Sequence, residues 1–185
     1  MPTQSETPRS GPQGPTASPS TEEHRRHAPR SVASFVAISS DSRTEADDES
    51  GALIRALLEE AGHAVAGYAL IRNEPAALRE VIERRAVEAR AQAVILSGGT
   101  GLSRRDTAVE VLEGMLEKRL PGFGELFRML SFQEIGPSAM MSRALAGSFR
   151  GMAIFALPGS PAAARLALTR LILPELGHAV RELSR

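Results

Sequence analysis

The stretch from Ala93 to Asp106, AVILSGGTGLSRRD, constrains this chain more than any other. Ala93 to Leu96 is an unbroken apolar run rich in β-formers, which predicts a buried strand. Ser97-Gly98-Gly99-Thr100-Gly101 follows with little side chain above the backbone, so an anion can reach peptide N–H groups there. Asp106 is expected to open an apolar-periodic helix through Val109, Val111, Leu112, Met115 and Leu116, which puts the loop at the positive end of a helix dipole. Two readings meet this pattern. One is a cradle for a nucleotide or phosphorylated cofactor, and the other is a sharp strand-to-helix turn with Asp106 as its N-cap. The loop lacks both the Gly-Lys-[Ser/Thr] of a P-loop and the G-x-G-x-x-G spacing of a dinucleotide fold, so taken alone it favours the plain turn.

The segments around it alternate. Val32, Phe35, Val36 and Ile38 predict a first strand that empties into the polar loop Ser39-Ser40-Asp41-Ser42-Arg43. In an open α/β sheet the carboxyl ends of the strands form the ligand crevice, which would set this loop on the same side as the glycine loop. Glu45 and Asp47 read as a solvated acidic loop leading to a helix. That helix carries Leu53, Ile54, Leu57, Leu58 and Ala61 on one face and stops at Gly62. Ala64 to Ile71 predicts a second strand, and Pro75 begins a helix whose buried face is Leu78, Val81, Ile82 and Ala89, with Glu80 and Arg84 paired on its surface. The glycine-loop strand comes next, so strand and helix alternate with short connections. That order predicts a mostly parallel sheet with helices on both faces.

Farther on, Leu120-Pro121-Gly122-Phe123-Gly124 reads as a turn. Phe123, Phe127, Met129, Leu130 and Phe132 then cluster, either as local core or as a subunit interface. Glu134-Ile135-Gly136-Pro137-Ser138 breaks this helix, and another is expected from Ala139 to Ala144, where Ser138 and Arg143 either bind an anion or serve as a cap and a surface arginine. Met152 to Leu157 predicts a strand entering Pro158-Gly159-Ser160-Pro161, a second strand-loop-helix cradle, and Pro174 interrupts the last helix or begins a short one. His63 and His178 stand in helical contexts without sequence neighbours to work with, so structural roles are expected.

Composition narrows the classes. The 185 residues and 42% hydrophobic content suit one domain once the polar start is set aside. Met1 to Arg30 is dense in Pro, Ser, Thr, Gly and Arg, which predicts a disordered tail over 1–30 and a folded domain over 31–185. His24 and His27 in that tail read as a solvated pair. Formal net charge is zero and no basic stripe interleaves with aromatics, so nucleic acid is not an expected partner. The absence of cysteine excludes disulfides and thiol chemistry. No run approaches about 18 apolar residues and the start lacks a signal-peptide core, so no membrane partner and a cytoplasmic location are expected. Lys118 is the only lysine and falls toward the far end of the helix from the glycine loop, which argues against a lysyl-nucleotide intermediate.

Several ordered motifs together resemble the MoaB/Mog family of molybdenum-cofactor biosynthesis proteins. They are Asp48-Glu49-Ser50-Gly51, the Ser97 to Gly101 loop with Arg105-Asp106, Pro121 to Glu125, Glu134-Ile135-Gly136 through Ser142-Arg143, and Leu157-Pro158-Gly159-Ser160-Pro161, spread over Phe35 to Val180. The agreement from Phe123 to Ala146 is closer to the MoaB branch. The resemblance implies a three-layer α/β/α molybdopterin-binding domain, a trimer or hexamer, that adenylylates molybdopterin with Mg2+ and ATP and releases pyrophosphate. It also implies Asp106 as the functional carboxylate, with Ser97, Gly98, Gly99, Thr100, Gly101, Ser138, Ser142, Arg143, Pro158, Gly159 and Ser160 binding pterin or phosphate. Active members carry an aspartate after the second strand, where this chain has Arg72-Asn73-Glu74. Either Glu74 or Asp48 then supplies the metal's carboxylate, or the chain is a pterin-binding scaffold without efficient transfer.

Overall fold

The computed structural model describes residues 28–185. The expected tail, apart from Ala28 to Arg30, and its His24 and His27 pair lie outside the described residues. Six strands form one sheet: β1 Ala33–Ser39, β2 Ala64–Ile71, β3 Ala93–Ser97, β4 Lys118–Arg119, β5 Leu145–Phe149 and β6 Met152–Leu157. Their order is β2-β1-β3-β6-β5-β4. The first four in that order run parallel, and β5 and β4 are antiparallel additions at one edge.

Side-chain alternation along the strands splits the core into two layers. Val36, Ile38, Ala93, Ile95, Phe155 and Leu157 face one side, against helices α1 (Glu49–Glu60), α4 (Pro121–Ile135) and α5 (161–183). Phe35, Ala37, Val94, Leu96, Ile154 and Ala156 face the other, against α2 (75–88) and α3 (Ala108–Met115). Every residue of β3 is buried because both faces are covered. Each such Ile or Leu contributes about 1.5–3 kcal/mol by leaving water, so the middle of the sheet holds the loops at its carboxyl end in place.

The boundaries of β2 and β6 are as predicted, and Gly62 with φ of 82° ends α1 as expected. In α2 the inward residue after Ile82 is Ala86, with Ala89 half-buried, across a π-type turn at Val81–Arg85. The surface pair of Glu80 and Arg84 forms. Pro174 does not divide the last helix, since a π-type turn at Leu168–Ile172 lies just before it and the helix continues.

Three expectations are corrected. The stretch Leu120 to Gly124 is no turn, because Pro121 occupies the first helical position of α4 and Gly124 allows close packing, a Cβ there falling 2.6 Å from the Ala144 carbonyl. No helix spans Ala139 to Ala144. A short 3-10 segment, Gly136–Met141, follows Gly136 at φ of 63°, and the chain then extends into β5. The hairpin from β5 to β6 turns on Arg150 and Gly151, both at positive φ, and this primed turn fixes the strand pairing over a segment whose alanines also suit a helix. Finally, α3 begins at Ala108 rather than at Asp106.

His63 has the structural role expected of it, accepting the Val32 N–H at its Nδ1 over 3.2 Å. Burial holds its imidazole below the ordinary 6.5. The folded state therefore keeps it neutral while the unfolded chain takes up a proton, so stability declines as pH falls below 6.5 and levels off below the folded value. His63→Gln should flatten that part of the stability profile, read by denaturant melts between pH 7 and 5. His178 lies 3.0 Å from Glu175 on the same helix. Among the described residues, no helix is long and apolar enough to cross a membrane.

Candidate functional site

The chain leaves β1 for the outer strand β2 but leaves β3 for the opposite half of the sheet. The crevice between the ends of β1 and β3 is therefore the topological switch point, where open α/β sheets bind ligands. A cleft of about 520 Å³ opens there. Its walls are the loop 39–43 after β1, the glycine loop 98–101 after β3, and the loop 158–160 after β6, with Asn73, Asp106, Met141 and Ser142 at its margins.

The glycine loop is bound to its neighbours on one side and open on the other. Gly98 N–H donates to the Leu157 carbonyl at 3.0 Å, Ser97 Oγ to the Pro158 carbonyl at 3.1 Å, and Thr100 Oγ1 to the Leu157 carbonyl at 3.4 Å. The Gly99 carbonyl accepts from Ala108 N–H at 3.0 Å. Among the described residues, the amides of Gly99, Thr100 and Gly101 donate to no protein acceptor. Those N–H groups are donors that the fold itself does not satisfy, in residues that line the cleft. Gly98, at φ of 97°, also lets the loop pass against β1, since a Cβ would meet the Ser39 carbonyl at 2.2 Å.

Asp106 does not cap α3. Thr107 stands at the cap position, and its side chain makes no capping bond. The Asp106 carboxylate instead accepts the Ser103 N–H at 3.1 Å through Oδ2, rests against Gly101 and lines the cleft. Arg143 is not turned toward the cleft. Its guanidinium donates to the carbonyls of Thr100 (3.2 Å), Gly101 (2.5 Å) and Asp106 (3.3 Å), and pairs with Glu110. Arg143 thus clamps the loop by its carbonyls and leaves the amides of Gly99, Thr100 and Gly101 unengaged. The same guanidinium, first by its hydrogen bond, holds the Glu110 carboxyl below the usual range.

The other residues singled out in the sequence divide clearly. Gly98 to Gly101, Ser142 and Pro158 to Ser160 gather at the cleft, with Ser160 also accepting the Ala163 N–H at 3.2 Å as the cap of α5. Ser97 is buried beneath the loop and acts on it through Pro158. Ser138 is exposed on the 3-10 segment, outside the lining of the cleft, because no helix begins there to aim it inward.

Neither carboxylate offered for a metal reaches the cleft. Asp48 is buried with both oxygens engaged, one by Gly51 N–H at 3.0 Å as the cap of α1 and one by Tyr68 Oη at 2.7 Å. Burial, followed by that carboxylate, pushes the Tyr68 phenol well above its ordinary value. Glu74 is exposed ahead of α2, outside the cleft lining.

Asp41 was not singled out in the sequence, yet it lines the cleft. Its Oδ1 accepts the Asn73 N–H at 3.0 Å and its Oδ2 meets Arg105 at 3.0 Å. These contacts, the Asn73 amide first, hold the Asp41 carboxyl below its ordinary value. Asn73 Oδ1 accepts the Ser39 hydroxyl at 2.5 Å, which fixes the amide beside Gly99. Arg43 is committed elsewhere, donating to the Gly159 carbonyl at 3.0 Å and to Ser50 at 3.1 Å. The position of the loop 39–43 at a strand's carboxyl end was the available signal for Asp41.

Known proteins share this fold. A family model described as "Probable molybdopterin binding domain" matches residues 35–178. Molybdenum cofactor biosynthesis protein B of Halalkalibacterium halodurans is 48% identical over 165 residues, which is 89% of this chain and 97% of that protein. A crystal structure of a molybdenum cofactor biosynthesis protein B superposes with a TM-score of 0.82 at 42% identity, covering 86% of this chain and 99% of that one. The tungsten cofactor synthesizing protein MoaB from Pyrococcus furiosus superposes at 0.77 with 31% identity, covering 85% and 100% respectively.

Proposed function

This chain belongs to the MoaB family of molybdenum cofactor biosynthesis proteins, and on that premise we propose that its cleft binds molybdopterin and adenylylates it with Mg-ATP. A terminal phosphate oxygen of the pterin attacks the α-phosphorus of ATP, the new P–O–P bond forms, the α–β bond breaks and pyrophosphate leaves. Such a transfer is helped chiefly by positioning and by donors aimed at developing charge. The observation that carries the reading is the set of amides at Gly99, Thr100 and Gly101 that have no acceptor among the described residues, with the Asp106 carboxylate beside Gly101.

The donor set suits Mg2+ in the way that ion is commonly held, by one or two carboxylates together with substrate phosphates. Among the described residues no cluster could hold a metal by itself. Asp106 is the residue to hold it, with Asp41 as the second carboxylate at the cleft, while Asp48 and Glu74 do not fit for the reasons of burial and placement given above. When bound, the ion would offset charge on the phosphates. Arg143 keeps the glycine loop in the shape that presents its amides.

Asn73 favours a second reading, a pterin-binding scaffold with weak transfer, because an amide lacks the charge of the carboxylate that active relatives are expected to carry there. The two readings separate on Asn73→Asp. The Ser39 hydroxyl can donate to either side chain, so the variant should fold. A rise of about tenfold or more in adenylyl transfer, of the size a single charged group supplies, marks weak transfer in the parent; unchanged turnover means the existing carboxylates suffice.

An exposed apolar face supports self-association in either case. Leu126, Met129 and Phe132 on α4, with Met140 and Met141 beyond it, are each about half exposed or more, while Phe123 and Phe127 on the inner side of α4 are core. The phenylalanine cluster thus serves the core inwardly, and outwardly we assign it to a homo-oligomer interface, in a trimer or hexamer, adjoining the cleft through Met141.

A further inference from the structure

Three arginines approach the cleft, and two are spent on the protein's own carbonyls. Arg143 holds the glycine loop and Arg43 holds Gly159. Arg105 differs. Its Nε and Nη2 both lie 3.0 Å from Asp41 Oδ2, and the guanidinium makes no other hydrogen bond or ion pair among the described residues. The pair is accessible, with 62% of the arginine side chain and 30% of the aspartate exposed. Asp41 cannot swing away freely, because its Oδ1 is held by the Asn73 N–H. Arg104, the neighbour of Arg105, is exposed, and its guanidinium makes no hydrogen bond or ion pair among the described residues.

We infer that Arg105 is the cation that binds a ligand phosphate in this cleft, and that Asp41 holds its guanidinium until a phosphate takes it. Building on the proposed binding of a phosphorylated ligand, this adds the residue that answers its charge. Exposed ion pairs of this kind contribute little. A phosphate brings more negative charge and two oxygens to the guanidinium fork, so it wins the exchange. The Arg105 side chain then crosses from the rim toward the free amides, and the Asp41 carboxylate is left open on the cleft wall. Ligand binding thereby carries a cost equal to breaking the pair, and that cost is visible only while Arg105 is present.

The signature is a pair of substitutions with opposite signs. Titrating ATP in EDTA into the full chain by calorimetry, Asp41→Asn should bind about two- to fivefold more tightly than the parent, the worth of an exposed pair. Arg105→Gln should bind about tenfold or more weakly, the loss of a charge-assisted bond. Asp41→Asn/Arg105→Gln should match Arg105→Gln alone. A merely structural ion pair would weaken binding in both single variants, and that result overturns the inference while leaving pterin and nucleotide binding intact. Tightening by Asp41→Asn in the Arg105→Gln background also overturns it, since Asp41 would then act by plain repulsion. If neither the parent nor Asp41→Asn binds ATP, the nucleotide reading of the cleft falls and the inference falls with it.

Discussion

Asp106→Ala should lose adenylyl transfer by about a hundredfold or more while the melting temperature shifts by only a few degrees. The first half follows from place and charge. Asp106 shares the cleft wall with the open amides, and removing a preorganised charged group at such a site costs about two to three orders of magnitude in rate. The second half follows from its modest structural duty. Its carboxylate accepts the Ser103 N–H at 3.1 Å in an exposed turn, and a bond of that kind contributes about 0.5–1.5 kcal/mol. Asp106→Asn separates charge from shape: it can keep the bond to Ser103 and should lose nearly as much turnover as Ala. A transfer assay beside a thermal melt reads both, and a variant that melts early while keeping its activity would reduce Asp106 to a turn residue.

Gly98→Ala should be the most damaging single methyl group in the glycine loop. Gly98 sits at φ of 97°, which an L side chain rarely adopts, and the added Cβ would fall 2.2 Å from the Ser39 carbonyl. Backbone cannot yield as a flexible side chain can, so β1 and β3 must separate at the switch point. Left-handed strain of about 1–2 kcal/mol and overpacking of about 1–3 kcal/mol together predict a loss of about 2–5 kcal/mol. Pterin binding should fall with it, because the displaced Ser39 carries the hydroxyl that fixes Asn73. Gly62→Ala is the control. It has a similar φ of 82° but nothing within 4 Å of the new Cβ, so it should cost only the strain. Denaturant unfolding of both variants checks the difference, and equal losses would show that crowding at Ser39 is unimportant.

Much of this was legible in the sequence, for identifiable reasons. Ala93 to Leu96 had only one sensible environment, and β3 is indeed buried on both faces. The alternation of strands and helices on either side led to the observed parallel core. The edge strands were hidden by their composition. Lys118–Arg119 is two exposed residues with no apolar pattern, and β5 is Leu-Ala-Gly-Ser-Phe, whose small residues carry little strand preference. Pairing through the Arg150 and Gly151 turn overrode the local signal there.

The site was legible as loops but not as roles. The glycine loop, Asp106 and the segment 158–160 gather at one cleft, as their positions after strands suggested. Arg143 illustrates what spacing cannot convey. Its residue type fits anion binding, yet its guanidinium reaches loop carbonyls about forty positions back along the chain, a contact that only the tertiary fold creates. Asp48 is similar, since the motif around it has a carboxylate that the fold spends on capping α1 and on Tyr68. Asp41 and Arg105 are 64 residues apart, and no local pattern pairs them.

Adenylyl transfer to molybdopterin in this cleft is tested by product formation. Purified full chain incubated with molybdopterin and Mg-ATP should give adenylylated molybdopterin and pyrophosphate in equal amounts. Molybdopterin retained by the protein with neither product formed would contradict transfer, and would make this chain a pterin-binding scaffold.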